Sequence, residues 1–250
     1  MEELFNCAMD IGEQMLLAGA EVHRAEESIG RMCYAFGAKR VDVFIITSSI
    51  VVTLYTQDGT NYTQTRRVES MKFNFERLHK LNALSREICS RQMTPEEIRE
   101  KLNAAVATKQ FPLWAEFISY AVITGAFTLF FGGGYVESLV SLVVGAIVWL
   151  LVFLSEKLVT NKFFGKFYAS AIATVLAFFA MKLGWIPDVD KVIIGNIMTL
   201  IPGIGLTNSI RDLFAGDSIA GLLRLIDALL TALVIAAGYY LVAVLGGFLL

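Results

Sequence analysis

The chain has 250 residues, of which 56% are hydrophobic and 18% are charged, and its formal net charge is −2. Soluble globular proteins carry about 25% charged residues, and disordered or disulfide-stapled chains contain more charge or more cysteine than this one. The composition therefore favours an integral membrane protein, and the near-neutral charge gives no electrostatic reason to expect nucleic acid as a partner.

The charged residues are concentrated in the first part of the chain. Residues 1–114 hold 29 of the 44 charged side chains, and residues 115–250 hold the other 15. A segment of about 110 residues is long enough to bury its own core. We therefore predict a small α+β domain over residues 1–112, followed by an α-helical bundle of about five transmembrane helices over residues 113–250.

The α+β domain is expected to contain helices and a small antiparallel sheet. Apolar residues recur with helical spacing in three segments, at 3–18, 21–36 and 75–88. Short runs typical of strands lie between the second and third, at 41–46, 50–55 and 62–68. Gly59 is suited to the hairpin turn that joins the last two strands. Thr94-Pro95-Glu96-Glu97 predicts the start of a further helix, with threonine as the cap and proline in the first position.

The second part of the chain consists of long apolar segments. Crossing a bilayer takes about 20 residues in a helix, and five segments approach or exceed that length, at 114–131, 136–154, 163–185, 192–206 and 219–250. The fourth is the shortest, and Pro202-Gly203-Ile204-Gly205 interrupts it.

The sequence also predicts the orientation of the chain. Residues 1–6 have neither the basic start nor the apolar run of a secretory signal, which favours a cytoplasmic first domain. The loops that would then be cytoplasmic hold five Lys and Arg residues and the external ones hold two, which agrees with this orientation and puts the C-terminus outside. Cys7, Cys33 and Cys89 are expected to be reduced thiols, and their spacing matches no zinc-binding pattern.

The segment from Thr199 to Asp227 is the strongest candidate for a functional site. Pro202 removes a backbone donor, and the glycines beside it allow the helix to unwind. Transporters use such breaks to bind substrates and ions. The alternative is that the fourth span simply ends at Pro202 and is followed by a cytoplasmic loop.

Arg224 and Asp227 are ionisable residues inside the last predicted span. They lie three residues apart on one helix face, and Asp217 falls on nearly the same face. Charged groups within a span are costly and indicate functional sites, and arginine is suited to binding a carboxylate in two-pronged fashion. Arg224 could instead extend to the cytoplasmic interface. On the fourth span, Asn196 and Thr199 either line a site or, as the pattern favours, bridge neighbouring helices.

A second group of ionisable residues occurs at the start of the second helix. Glu21, Arg24 and Glu26 or Glu27 are close on the helix surface and could form intrahelical ion pairs, and His23 lies among them. A solvated, ion-paired helix start is the favoured interpretation, since no third ligand accompanies His23 for a metal site. The sequence suggests no cofactor, no metal and no catalytic signature, so we do not expect an enzyme.

Three motifs resemble those of the threonine/serine exporter family. The first is Gly19-Ala20-Glu21-(x)2-Arg24-(x)-Glu26, the second is Thr65-Arg66-Arg67, and the third is Pro202-(x)4-Thr207-Asn208-(x)2-Arg211-Asp212-(x)3-Gly216-Asp217-(x)3-Gly221-(x)2-Arg224. The resemblance implies export of threonine and serine, or of dicarboxylates such as succinate, driven by the proton-motive force. It also implies that this chain is the larger subunit of a split form, completed by a small membrane protein. The substrate-binding candidates are Asn196, Thr199, Pro202, Thr207, Asn208, Arg211, Asp212, Asp217, Arg224 and Asp227.

Two further expectations concern function and assembly. The alternative function is that of a membrane-anchored sensor or enzyme that acts through the cytoplasmic domain. Five spans with one broken helix are too few to enclose a site at the bilayer midplane. We therefore expect a complex with a small membrane partner or with further copies of this chain, in which Asn196, Thr199 and Asn208 face the shared interior.

Overall fold

The computed structural model describes residues 1–69, 71–109, 111–158 and 161–249, and these form ten helices and three strands. The chain divides into two compact units. The first, here called the N-terminal unit, comprises Met1–Gln110 together with Gly205–Leu225. The second, called the helical unit, comprises Phe111–Ile204 and Ile226–Leu250. Residues 205–225 thus pack with the N-terminal residues, whereas the sequence hypothesis assigned them to the domain that starts at residue 113.

The N-terminal unit contains the predicted small sheet and its flanking helices. Helices α1 (Glu2–Leu17) and α2 (Val22–Ala35) precede the strands, and α3 (Phe75–Ser90) and α4 (Pro95–Val106) follow them. The strands β1 (Arg40–Ile46), β2 (Ser49–Tyr55) and β3 (Asn61–Arg67) form an antiparallel sheet in the order β1-β2-β3. The α+β class and the three-stranded sheet predicted from the sequence are confirmed.

Local sequence explains how these elements begin and end. In β2, alternate residues Ile50, Val52 and Leu54 are fully buried, because successive side chains of a strand point to opposite faces. Gly59, at the turn before β3, has a φ of +89°, a backbone conformation that costs glycine little. Thr94 caps α4 by accepting a hydrogen bond from the Glu97 amide at 3.3 Å. The core of the unit forms where α1 and α2 pack against this sheet and α3 and α4 pack against those two helices.

The described part of the chain contains four helices long and apolar enough to cross a membrane. A bent helix pair raises that number to five if the pair counts as one span. The four are α5 (Leu113–Phe130), α6 (Tyr135–Leu158), α7 (Lys162–Lys182) and α10 (Ser218–Leu249). The bent pair is α8 (Val189–Leu200) and α9 (Gly203–Ala215), whose axes differ by 54°. A multi-pass helical membrane protein is therefore confirmed, and the chain breaks where Pro202 interrupts the fourth span.

Helices α5, α6 and α8 pack closely through small and polar residues. The Asn196 side chain donates to the Ser141 hydroxyl at 2.8 Å and to the Val192 carbonyl at 2.9 Å, and it is fully buried. A Cβ atom at Gly145 would lie 2.1 Å from the Thr124 hydroxyl oxygen, so a side chain there would push α5 and α6 apart. Small residues and interhelical hydrogen bonds are the usual means of helix association in membranes.

Candidate functional site

The turn between α1 and α2 forms one side of the candidate site. Gly19 has a φ of +95°, which favours glycine, and a Cβ there would collide with the Phe73 ring. Glu21, the residue that precedes α2, forms no side-chain cap bond to that helix among the described residues. Instead the Val22 amide donates a buried hydrogen bond of 3.1 Å to Oδ1 of Asp212. A carboxylate from far along the sequence therefore satisfies the positive N-terminus of α2.

The corner between α9 and α10 prepares the other side. Gly216 has a φ of +100° and ends α9, and the Asp217 amide then donates to the Asp212 carbonyl at 3.0 Å. At Gly221, a Cβ would lie 2.8 Å from the Leu213 amide nitrogen. This close approach of the two helices requires glycine, and it brings the next turn of α10 against α9.

A buried ion pair lies at the centre of the site. Arg224 Nη1 of α10 is 3.0 Å from Asp212 Oδ2 of α9, and its other terminal nitrogen donates to the Ala20 carbonyl at 3.2 Å. The Asp212 side chain is fully buried and that of Arg224 is 9% exposed. One oxygen of the carboxylate thus binds the guanidinium and the other binds the start of α2. The arrangement joins α2, α9 and α10 through charge-assisted hydrogen bonds.

Two other pairs, both more exposed to solvent, lie around this buried pair. Glu21 forms an ion pair with Arg211, and His23 Nδ1 lies 3.5 Å from Asp217 Oδ2. Glu21, His23, Arg211, Asp212, Asp217 and Arg224 are together called the ion-pair cluster below.

Glu26 lies one turn further along α2 and faces the same cluster. Its carboxylate accepts a hydrogen bond of 2.9 Å from the Ile45 amide of β1. Burial raises the pKa of Glu26 to about 6, and the nearby Asp217 and Asp212 charges contribute to the rise, whereas the Ile45 hydrogen bond and His23 oppose it. Glu26 is therefore a group that titrates just below neutral pH.

The structure divides the predicted substrate-binding residues between the two units. Thr207, Asn208, Arg211, Asp212, Asp217 and Arg224 belong to the N-terminal unit, and Asn196, Thr199, Pro202 and Asp227 belong to the helical unit. The Thr199 hydroxyl donates to the Asn196 carbonyl at 2.7 Å, and the Asp227 carbonyl accepts from the Thr231 hydroxyl at 2.8 Å. Asn196 contributes to packing within the helical unit, as the helix-bridging interpretation expected.

The helix-start residues are paired differently from the sequence hypothesis. The sequence predicts intrahelical pairs of Arg24 with neighbouring glutamates. In the structure Glu21 pairs with Arg211, Glu26 accepts from the β1 backbone, and Glu27 pairs with Arg31 at 2.5 Å. Tertiary partners are available to the first two carboxylates because α9 and β1 pack beside α2. Over the described ranges, no group of three or more His, Cys, Asp or Glu residues is arranged to hold a metal ion.

Comparison with known proteins agrees with the earlier resemblance. A family model described as "Putative threonine/serine exporter" matches residues 6–246. The chain belongs to this family. A threonine/serine exporter of Corynebacterium glutamicum is 25% identical over 245 residues, which cover 94% of this chain and 50% of that protein. A probable threonine/serine exporter of Mycobacterium tuberculosis is 24% identical over 240 residues, covering 94% of this chain and 45% of that protein.

The match also extends to fungal membrane proteins. Pheromone-regulated membrane protein 10 of Eremothecium gossypii is 23% identical over 248 residues, covering 94% of this chain and 32% of that protein. No solved structure matches the sequence. This exporter-family chain thus spans about half the length of the first two relatives.

The structure explains the spacing of two family motifs. The first motif supplies Gly19, the Ala20 carbonyl and Glu21, and the third supplies Arg211, Asp212, Gly216, Asp217, Gly221 and Arg224. Sequence reasoning identified the residues of both motifs but not that they meet. Helical periodicity carries no information on partners about 190 residues apart. The one sequence feature that could have indicated their contact is that both motifs occur together in one family pattern.

Proposed function

We propose that this chain is one half of a secondary transporter that exports small carboxylate-bearing metabolites and is driven by the proton-motive force. Threonine and serine are the first candidate substrates, and dicarboxylates such as succinate are the second. The observation that carries the proposal is the family match over residues 6–246, on a chain whose membrane helices include one broken at Pro202.

The helix break supports a transport role. Helix α8 ends at Leu200, Ile201 adopts an extended conformation, and α9 starts at Gly203. Backbone groups released by a broken helix are tolerated at membrane depth only beside protein or water. Such groups bind substrates and ions in repeat-built transporters. Asn196 and Thr199, which lie one to two turns before the break, remain candidates for this path.

We propose that the Arg224 guanidinium binds the carboxylate of the substrate. In the structure the Asp212 carboxylate and the Ala20 carbonyl bind its two terminal nitrogens, so a substrate would replace one of them. The buried Arg224 Nε has no hydrogen-bond partner in the part of the chain that the structure describes. The guanidinium therefore retains its Nε donor for a substrate oxygen or for water. Asp227, three residues later on α10, is the proposed proton-coupling group.

A partner would complete the transporter. The chain spans about half the length of the exporter relatives that it matches. We propose that a small membrane protein or further copies of this chain supply the remainder, with the N-terminus in the cytoplasm and the C-terminus outside.

Efflux from cells tests the proposal. Cells that express the chain, with and without the membrane protein encoded beside it, are loaded with labelled threonine, serine or succinate, and efflux is measured before and after an uncoupler is added. Export of one substrate class that depends on the chain and collapses with the uncoupler is expected. Arg224→Lys should weaken export, while Arg40→Lys, the same substitution at an exposed arginine, should not. Equal efflux with and without the chain would refute the proposal.

The second candidate function is that of a membrane-anchored sensor or enzyme. It is favoured by the size of the N-terminal unit, whose ion-pair cluster is tied to α10, a helix that continues as a candidate span. Efflux that is independent of the chain, together with a reaction or binding event on purified protein, would support this candidate over the exporter.

A further inference from the structure

A groove lies between α2 and α3, within residues 1–110 of the N-terminal unit. Its volume is about 270 Å³, and its lining includes Arg24, Ser28, Arg31, Asn82, Arg86 and Cys89. The residues on α2 are spaced by three to four, as are most of those on α3, so each helix presents one face to the groove. None of these residues belongs to the ion-pair cluster.

The groove carries excess positive charge. Glu27 also lines it and pairs with Arg31 at 2.5 Å. The side chains of Arg24 and Arg86 form no ion pair or hydrogen bond within the described ranges. The lining thus contains three guanidinium groups and one carboxylate. In contrast, the Glu87 carboxylate of α3, which does not line the groove, pairs with two cations, Arg91 and Lys101.

The polar groups that line the groove can bind an oxyanion. Guanidinium groups bind carboxylate and phosphate oxygens through two parallel hydrogen bonds, and the Ser28 hydroxyl can donate one more. The volume lies just below the usual range for small-molecule sites, which is about 300–1,000 Å³. The groove therefore fits a small metabolite rather than a peptide or a nucleic acid.

We propose that this groove binds a small soluble oxyanion, a metabolite with phosphate or carboxylate groups, held by Arg24, Arg31 and Arg86. This ligand would occupy a site in the N-terminal unit that is separate from Arg224 and from the break at Pro202. The inference requires no transport activity, so it can fail or hold independently of the exporter proposal.

Cys89 provides a reporter for the groove. It is the exposed cysteine among three, and Cys7 and Cys33 are buried. Burial raises the pKa of Cys33 to about 12, which keeps that thiol unreactive. Partial burial also raises the pKa of Cys89, and the nearby Arg31 charge opposes the rise. Alkylation of the intact protein with a maleimide, located by mass spectrometry, therefore reports on access to the groove.

The experiment measures the Cys89 alkylation rate in purified full-length protein in detergent. Inorganic phosphate, pyrophosphate and citrate are added at millimolar concentration, with chloride at matched ionic strength as the reference. We expect at least one of these anions to slow alkylation about fivefold or more and to saturate. Equal rates with all of them and with chloride would overturn the proposal, because no anion would then protect Cys89 beyond the effect of ionic strength.

Variants separate the groove from general electrostatics. Arg24→Gln and Arg86→Gln should each lower the affinity for the protecting anion about tenfold. This is the loss expected for one charge-assisted contact. Arg40→Gln, an equal charge change on β1 outside the groove, should retain full protection. Equal weakening in all three variants would overturn the proposal. Protection by vesicles with anionic lipid, without protection by any soluble anion, would likewise overturn it in favour of a headgroup site.

Discussion

Removal of either partner of the Arg224–Asp212 pair should destabilise the start of α2 far more than removal of an exposed pair. Arg224→Met leaves the fully buried Asp212 carboxylate with the Val22 amide as its remaining partner. Breaking a buried pair from one side typically costs about 3–5 kcal/mol, because an uncompensated charge stays buried. Asp212→Asn should cost a similar amount by isolating the Arg224 guanidinium.

Hydrogen exchange of the peptide that covers residues 20–25 is the appropriate measurement. A loss of about 3 kcal/mol in local opening free energy corresponds to exchange about a hundred times faster. Arg211→Met is the matched control, since it breaks the pair with Glu21 in which the arginine side chain is 61% exposed. Exposed pairs contribute about 0–1 kcal/mol, so exchange should accelerate only a few-fold.

The double variant tests the pairing itself. Because both charges are then absent, Arg224→Met with Asp212→Asn should cost no more than the larger single change, which gives a coupling energy of about 3 kcal/mol. Strictly additive costs would refute the pairing. So would equal effects of Arg224→Met and Arg211→Met on the α2 amides.

Three further predictions concern other contacts. Gly221→Ala should cost about 1–3 kcal/mol, because the new Cβ would lie 2.8 Å from the Leu213 amide, and faster exchange in α9 would show it. Glu26 has a folded pKa near 6 against 4.5 as its ordinary value, so stability should fall as the pH rises from 4.5 to 6. Glu26→Gln should abolish that fall in melting temperature, and an unchanged pH profile would contradict the assignment. Asn196→Val should lower stability by less than about 1 kcal/mol in detergent, since hydrogen bonds between membrane helices average about 0.6 kcal/mol. Disassembly of the helical unit in this variant would contradict that estimate.

Local features of the fold were predictable because their causes are local. The alternation in β2, the glycine turn before β3 and the Thr94 cap each depend on residues within a few positions of one another. The break at Pro202 was predictable for the same reason, since proline cannot donate to the helix ladder.

The pairings of the candidate site were not predictable from periodicity. The sequence placed Arg224 three residues from Asp227 on one face of α10, but its carboxylate partner is Asp212, on the preceding helix. Similarly, Glu21 was expected to pair within α2 and instead pairs with Arg211. Which carboxylate meets which guanidinium depends on how closely the helices approach, and Gly221 controls that distance between α9 and α10.

The two motifs of the ion-pair cluster act as one structural device, and this changes how variants in either should be interpreted. Asp212 simultaneously caps α2 and pairs with Arg224, while Arg224 also binds the Ala20 carbonyl in the turn that Gly19 permits. A substitution at Arg224 therefore removes a proposed substrate contact and loosens α2 in the same step. Loss of export in Arg224→Met alone would not distinguish these effects. Export restored by adding Asp212→Asn would assign Arg224 to the structure of the N-terminal unit, whereas export still absent from a double variant with normal α2 exchange would assign it to the substrate.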